Sequence, residues 1–287
     1  MRVVVVGAGG QLGAAVVHEY RIAGSAHDVI ALTRRDLDVG DPAAVGAAMA
    51  NLRPDLIVNG AAYNDVDAAE DHPIDALTAN AFALRALARA AEQVGATLVT
   101  YGTDFVFDGT ATQPYTEEDR PSPRSVYAAS KMLGEWFALD APSAYVLRVE
   151  SLFGGAPGGP TPRGSVASIL DTLVGGGSPN VFEDRTVSPT YIPDAARATR
   201  ALLESRAAPG IYHCVNSGRC TWLELAQELA RRLNVEPRLT PVKMADVPLR
   251  AERPRFCALS NEKLRRAGVE MPTWQDAVAR FAAAIRA

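Results

Sequence analysis

Cysteine is scarce in this 287-residue chain. Cys214, Cys220 and Cys257 make an odd count, and no two of them stand at C-x-x-C spacing. That excludes a disulfide framework and a cysteine-built zinc site, and it leaves three free thiols in a reducing compartment. Long apolar runs are missing as well. The run at the N-terminus covers only Val3 to Val6 before glycine interrupts it. It is too short for a secretory signal, and nothing approaches the roughly 20 apolar residues of a spanning helix. The chain therefore reads as soluble and cytoplasmic, with no membrane partner. A basic surplus is absent too. The 29 Lys and Arg stand against 33 Asp and Glu, for a net charge of −4 without any Lys/Arg run. This removes the electrostatic case for a nucleic-acid partner. The four histidines, His18, His27, His72 and His213, share no spacing and read as structural or surface residues. No metal-ligand cluster is visible, and there are no internal repeats.

What is present is a large apolar fraction, 48%, enough for a sizeable core. Val3 to Val6 form a β-branched run of the kind found in strands buried on both faces. Further strands are predicted at residues 29–32, 56–58, 97–101 and 144–148. Helices are predicted at 12–20, from 42, at 76–94 and at 126–139. Alternating strands and helices imply right-handed βαβ units in an α/β fold, a doubly wound parallel sheet that binds ligands beyond the C-terminal strand ends. After Phe153 the texture changes. Residues 154–164 are rich in Gly and Pro and read as a loop. Helices follow at 165–174, 195–204, 222–233, 259–267 and 274–285. Thr221 and Glu224 stand at capping-box spacing before the third of these. The expected organisation is a dinucleotide-binding domain over 1–150 and a smaller, mainly substrate-binding lid over 151–287, interleaved with the first. Trp136 and Trp222 are read as core residues and Trp274 as the anchor of the last helix.

Gly7, Gly10 and Gly13 follow the first strand and open the first helix. A side chain there would block the backbone from a pyrophosphate, and a helix N-terminus offers free N–H groups and a positive dipole end. This is the phosphate loop of a Rossmann fold, with the Gln11 and Leu12 amides facing the phosphates. The second strand runs into Thr33-Arg34-Arg35-Asp36. Arg34 suits a ribose 2′-phosphate, which favours NADPH and leaves NADH possible; a solvated surface arginine is the plainer alternative. Asp38 and Val39 are placed alongside the adenine.

Tyr127 and Lys131 form Y-x-x-x-K on a predicted helix, so both side chains share one face. Hydride reduction of a ketone creates an alkoxide that needs a proton. A tyrosine supplies it readily when a neighbouring ammonium lowers its pKa. The lysine can also hold the nicotinamide ribose. Thr103, after the fourth strand, is placed to polarise the carbonyl. Arg185 is read either as a bidentate clamp on a diphosphate or as a surface arginine, with Arg253 or Arg255 as lesser candidates for the same clamp.

The segments Gly60-Ala-Ala-Tyr-Asn-Asp-Val-Asp-Ala-Ala-Glu70, Gly102-Thr-Asp-Phe-Val-Phe-Asp-Gly109, Tyr127-Ala-Ala-Ser-Lys131 and Glu183-Asp-Arg-Thr-Val-Ser-Pro-Thr190 resemble the dTDP-4-dehydrorhamnose reductases. These are extended short-chain dehydrogenases that reduce the 4-keto group of a dTDP-linked 6-deoxyhexulose with NADPH or NADH. The resemblance extends over nearly the whole chain, including Glu252-Arg253-Pro254. It implies that Ala61, Ala62 and Tyr63 pack along the cofactor with Asn80 near it. It makes Thr103, Tyr127 and Lys131 the catalytic set, and it places Asp104 and Val106 in the sugar pocket. Two departures lie on the substrate side. Ser151 stands where the family commonly has a tryptophan that seats the sugar, and Val187 stands where its Q-x-G-x-P-T motif has glycine. The expected function is thus a 4-ketoreductase of deoxysugar biosynthesis, for rhamnose or for another sugar, acting as a monomer or homodimer. The alternatives are a nucleotide-sugar epimerase or dehydratase and a non-catalytic regulatory subunit. A dehydratase usually carries a second acid after the one that follows the threonine; here Asp104 precedes Phe105. A regulator does not need the Tyr127/Lys131 pair.

Overall fold

The structure is a computed structural model, and residues 1–22 and 27–286 are described. Among the described residues six parallel strands make the main sheet: β1 (Arg2–Val6), β2 (Asp28–Leu32), β3 (Leu56–Asn59), β4 (Thr97–Thr103), β5 (Ala144–Val149) and β6 (Gly210–His213). Their order is β6-β5-β4-β3-β1-β2. The order reverses between β1 and β3, and that switch point opens a crevice at the C-terminal strand ends. Val3 to Val6 are buried because β1 pairs on both edges and is covered on both faces.

Among the described residues the eight longer helices are α1 (Gln11–Ile22), α2 (Pro42–Leu52), α3 (Ala83–Val94), α4 (Val126–Leu139), α5 (Ser165–Val174), α6 (Ile192–Glu204), α7 (Trp222–Leu233) and α8 (Trp274–Arg286). Local chemistry starts several of them. Asp41 caps α2 by accepting from the Ala43 and Ala44 amides, with Pro42 at the first helical position. Ser125 caps α4 by accepting from the Ala128 amide at 3.2 Å. Thr221 and Glu224 form the reciprocal capping box foreseen for α7.

The single helix expected over 76–94 is broken. A short helix, Pro73–Leu77, runs into a π-helical turn, Thr78–Phe82, before α3 begins. The turn aims Asn80 inward. Its side chain accepts from the Tyr63 amide at 2.8 Å and donates to the Tyr63 carbonyl and the Ser130 hydroxyl, both at 3.0 Å. Gly134 of α4 lets the Asn80 carbonyl approach where any Cβ would collide with it. A π-turn inserts one residue into the helical ladder, and here it ties the helix to the loop after β3.

The second half of the chain is built into both layers. β6 joins the main sheet beside β5, and α6 packs on α1. A second apolar core gathers α5, α7 and α8 around Phe153, Tyr191 and Cys257. Trp222 and Trp274 are buried in it, as expected. Trp136 departs from expectation: it is 58% exposed, on the outer face of α4. The inward residues of α4 are Tyr127, Ala128, Ser130, Lys131, Gly134, Glu135 and Ala138, which leaves position 136 outside. All three cysteines are buried and free. Among the described residues no helix is long and apolar enough to cross a membrane.

Candidate active site

The crevice at the switch point holds a cavity of about 670 Å³, lined by Gly7, Gly10, Arg34, Asp38, Val39, Ala61, Ala62 and Tyr63 among others. Gly7 and Gly13 are required sterically. Gly7 has φ +75°, and a Cβ on it would run into the Ala61 amide. A Cβ on Gly13 would overlap the Gly7 carbonyl. Gly10 is different, since its nearest obstacle is the Gly7 carbonyl oxygen at 3.4 Å and its open side faces the cavity. This bare backbone at the start of α1 fits a pyrophosphate. Arg34 stands exposed on the rim, whereas its neighbour Arg35 does not line the cavity. Gln11 and Leu12 line the adjoining space, and the Gln11 side chain donates to the Gly154 carbonyl at 3.1 Å, fastening the Gly-rich loop to α1. Asn80 lies behind the wall. It is 2% exposed and lines neither cavity, so it acts on the site by holding Tyr63.

A second cavity of about 640 Å³ continues from the first and shares Gly10, Gly60, Ala61 and Ala62 with it. Thr103, Tyr127 and Lys131 meet there. Thr103 ends β4, and Tyr127 and Lys131 lie on the buried face of α4. Lys131 Nζ donates to the Tyr101 carbonyl at 2.6 Å. The expected lowering of the Tyr127 pKa by this lysine is not what the structure has. Burial pushes the phenol well above its usual range, the Asp104 carboxylate adds to that, and hydrogen bonding with Thr103 opposes both. Burial pushes Lys131 down to about 8, against a smaller upward pull from Glu135. A phenol held protonated in this way is suited to donate a proton.

Beyond Tyr127 the cavity is lined by Asp104, Phe105, Ser151, Arg163, Arg185, Trp222 and Arg253. Val106 is not among them. It is wholly buried in a cluster with Phe107, Tyr115, Val215 and Leu259, because the short 3-10 turn after Thr103 faces Phe105 to the cavity and Val106 to the core. Arg185 is no surface arginine. It is buried, donates to the Pro254 carbonyl at 3.2 Å and to Cys257 Sγ at 3.5 Å, and lies 4.0 Å from Asp104. Its ring neighbour is Phe105, 5.3 Å below the guanidinium. These commitments leave it poorly placed to clamp a diphosphate in bidentate fashion. Arg253 is held by Asp67 through two hydrogen bonds, at 2.9 and 2.7 Å, and still reaches the cavity. Ser151 adopts φ +45°, a strained conformation for a residue other than glycine, at the strand end where ligands bind.

The sequence reading missed Glu150. It follows β5 and is buried beside Asp104, Arg185 and Cys257. Its position at a C-terminal strand end was the available signal. Asp104, Glu150 and Cys257 bring their side-chain ligand atoms within 4.8 Å of one another, a grouping invisible in sequence because three distant segments supply it. Arg185 provides the positive charge there. The second acid missing after Asp104 in sequence is thus present in space.

Fold and site together define a dinucleotide-dependent oxidoreductase of the short-chain type, with hydride chemistry at Thr103, Tyr127 and Lys131 as its candidate centre. Over residues 1–287 the chain matches the family described as the RmlD substrate binding domain, and it belongs to that family, the dTDP-4-dehydrorhamnose reductases. It is 36% identical over 290 residues to the dTDP-4-dehydrorhamnose reductase of Mycobacterium tuberculosis strain H37Rv, covering 99% of this chain and 93% of that one. It is 38% identical to a probable dTDP-4,6-dihydroxy-2-methyloxan-3-one 4-ketoreductase of Streptomyces antibioticus, covering 97% and 93%. The crystal structure of a dTDP-4-dehydrorhamnose reductase from Clostridium acetobutylicum superposes with TM-score 0.94 at 29% identity, over 100% of both chains. That from Bacillus anthracis, in complex with NADP, gives 0.91 at 30%, covering 100% and 99%. A Thermus thermophilus UDP-glucose 4-epimerase complexed with NAD, at 22% identity and TM-score 0.83, shares the fold alone.

Proposed function

We propose that this protein reduces the 4-keto group of a dTDP-linked 6-deoxyhexulose, with NADPH as hydride donor and NADH as a possible substitute, in the cytoplasm. The observation that carries this reading is the continuity of the two cavities. One runs from the phosphate loop to Tyr63, and the other carries Thr103, Tyr127 and Lys131 at the junction. The dinucleotide supplies the hydride when bound. Gly7, Gly10 and Gly13 give its pyrophosphate access to backbone N–H groups, and Arg34 on the rim reads a 2′-phosphate. Ala61, Ala62 and Tyr63 flank it, as do Asp38 and Val39. Lys131, fixed by the Tyr101 carbonyl, presents its ammonium to the ribose side. Thr103 orients the ketone oxygen, and Tyr127 delivers the proton to that oxygen as hydride reaches the carbon. The sugar lies against Asp104, Phe105, Ser151 and Trp222, and Arg253 and Arg163 offer charge to the diphosphate. Residues 1–150 act mainly on the dinucleotide and 151–287 mainly on the sugar nucleotide.

The Asp104–Glu150 pair reopens the dehydratase reading that Phe105 appeared to close in sequence. Glu150 does not line the cavity, however, so it is withheld from a sugar. The test is NADPH oxidation, followed by absorbance, with dTDP-4-keto-6-deoxy sugars before and after 3,5-epimerisation. Consumption only after epimerisation identifies a rhamnose-type reductase, and consumption before it identifies another deoxysugar branch. Tight cofactor binding without consumption of NADPH on any of these sugars overturns the reading.

A further inference from the structure

Four arginines lie near enough to the site to meet a diphosphate, and only Arg253 is held on one side and open on the other. Arg185 commits Nε to the Pro254 carbonyl and Nη2 to Cys257 Sγ. Arg255 is bound to Asp184 and lines neither cavity. Arg163 lines the second cavity but is exposed and has no hydrogen bond among the described residues. A guanidinium carries its N–H donors along planar edges, two parallel N–H groups to an edge. Arg253 Nη1 donates to Asp67 Oδ1 at 2.9 Å and to the Ala251 carbonyl at 3.2 Å. Its Nη2 donates to Asp67 Oδ2 at 2.7 Å. Asp67 thus occupies the edge between the two Nη atoms. The Nε–H and the second N–H of Nη2 share the adjoining edge and have no partner among the described residues. Arg253 lines the second cavity, and such a fork matches two oxygens of a phosphate.

Asp67 is itself fixed. Its Oδ1 also accepts from the Ala251 amide at 2.9 Å. The Arg253 hydrogen bonds hold its carboxyl below the usual range, so it is ionised at neutral pH. Three residues on, Glu70 Oε1 accepts from the amide of Val126 at 2.7 Å, the residue before Tyr127. Residues 67–70 therefore join Arg253 to the first turn of α4. In the other direction the chain passes through Val66 and Asn64 on the second cavity to Ala62 and Ala61, which line both. We propose that Asp67 is a positioning residue. It takes one edge of the Arg253 guanidinium and so presents the other to the diphosphate of the sugar nucleotide, at a spacing from Tyr127 set by residues 67–70. The proposal rests on the ketoreductase reading. An untethered arginine loses rotamer freedom when it grips an anion, and Asp67 imposes that loss before the ligand arrives. The Asp67 charge also repels a diphosphate. It stands on the far edge, however, and its side chain is 42% exposed, so solvent and salt screen it. Orientation is the larger effect.

Calorimetric titration of the full chain with dTDP and with thymidine isolates the diphosphate and needs no turnover. Asp67→Asn should weaken dTDP on the order of fivefold and leave thymidine and NADPH affinities unchanged. Arg253→Lys keeps the charge but has no second edge, and it should weaken dTDP on the order of tenfold. In the Arg253→Lys background Asp67→Asn should no longer weaken dTDP, because Asp67 acts only through the guanidinium. Unchanged or tighter dTDP binding by Asp67→Asn overturns the proposal. So do equal losses from that substitution in both backgrounds, the mark of a merely structural clasp. With NADPH and an accepted keto sugar, Asp67→Asn should raise the KM for the sugar nucleotide and change kcat little. A fall in kcat at unchanged KM overturns the positioning role. If Asp67→Asn does not fold, Arg253→Lys decides, and full dTDP affinity there rejects the two-edged arrangement. Failure of the unmutated protein to bind dTDP while it binds NADPH would count against the sugar-nucleotide reading, and the proposal falls with it. Binding of dTDP without reduction of any sugar would count against the ketoreductase reading alone, with the two variants still deciding the fork.

Discussion

Tyr127 combines a buried ring with a phenol held among Thr103, Asp104 and the edge of Phe105. Tyr127→Phe keeps that packing and removes only the proton, so NADPH affinity by fluorescence titration should be unchanged. Turnover should fall on the order of 10²-fold or more, and wild-type turnover would remove Tyr127 from the mechanism. Arg34 stands exposed on the cavity rim. Arg34→Ala should raise the KM for NADPH roughly tenfold, the worth of a charge-assisted hydrogen bond, and leave NADH unaffected. Equal effects on both cofactors would show that Arg34 does not read the 2′-phosphate. Lys131 titrates from about 8, so its ammonium is present below that pH and lost above it. kcat/KM should accordingly decline above about 8, and Lys131→Met should lower it throughout and erase that limb. Of the residues expected near the sugar, Asp104 and Ser151, placed by motif position, line the second cavity. Val106 was misplaced, since a turn of three residues decides which side chain faces the cavity and sequence spacing does not record it.

At the scale of elements, α4 depends on its cap. Ser125 is extended, with φ −142°, and satisfies an amide that the first turn of the helix leaves free. Ser125→Ala should cost about 1 kcal/mol in denaturant unfolding. It should also depress kcat more than cofactor affinity, because Tyr127 lies in that first turn. Capping signals were legible in sequence wherever the bonding is local, as at Thr221 and Glu224. The π-turn at Thr78–Phe82 was not. Its cause is Asn80 reaching across to Tyr63 and Ser130, and such partners are set by packing. The same limit applies to Trp136, whose exposure follows from the rotation of α4 against the sheet.

For the whole molecule, Arg148 and Glu135 join β5 to α4 close to Lys131. Three hydrogen bonds join the pair, the shortest 2.7 Å from Arg148 Nη2 to Glu135 Oε2, and the side-chain exposures are 2% and 3%. Arg148→Met leaves a buried carboxylate without its partner and should cost about 3 kcal/mol, read as a large drop in thermal midpoint. His213 on β6 sits against Arg148, and burial with that positive charge pushes its pKa down to about 3. The reading of His213 as structural therefore fits its place in the sheet. The sequence by itself determined the alternation of strands and helices, the phosphate loop and the Tyr127/Lys131 spacing, since each depends on residues a turn or a strand apart. Only the tertiary structure decided that Glu150, Arg185 and Cys257 converge on Asp104 and that residues 192–213 complete the main sheet and its covering layer. Those arrangements are made by contacts between distant segments, where burial, and not spacing along the chain, selects the partner.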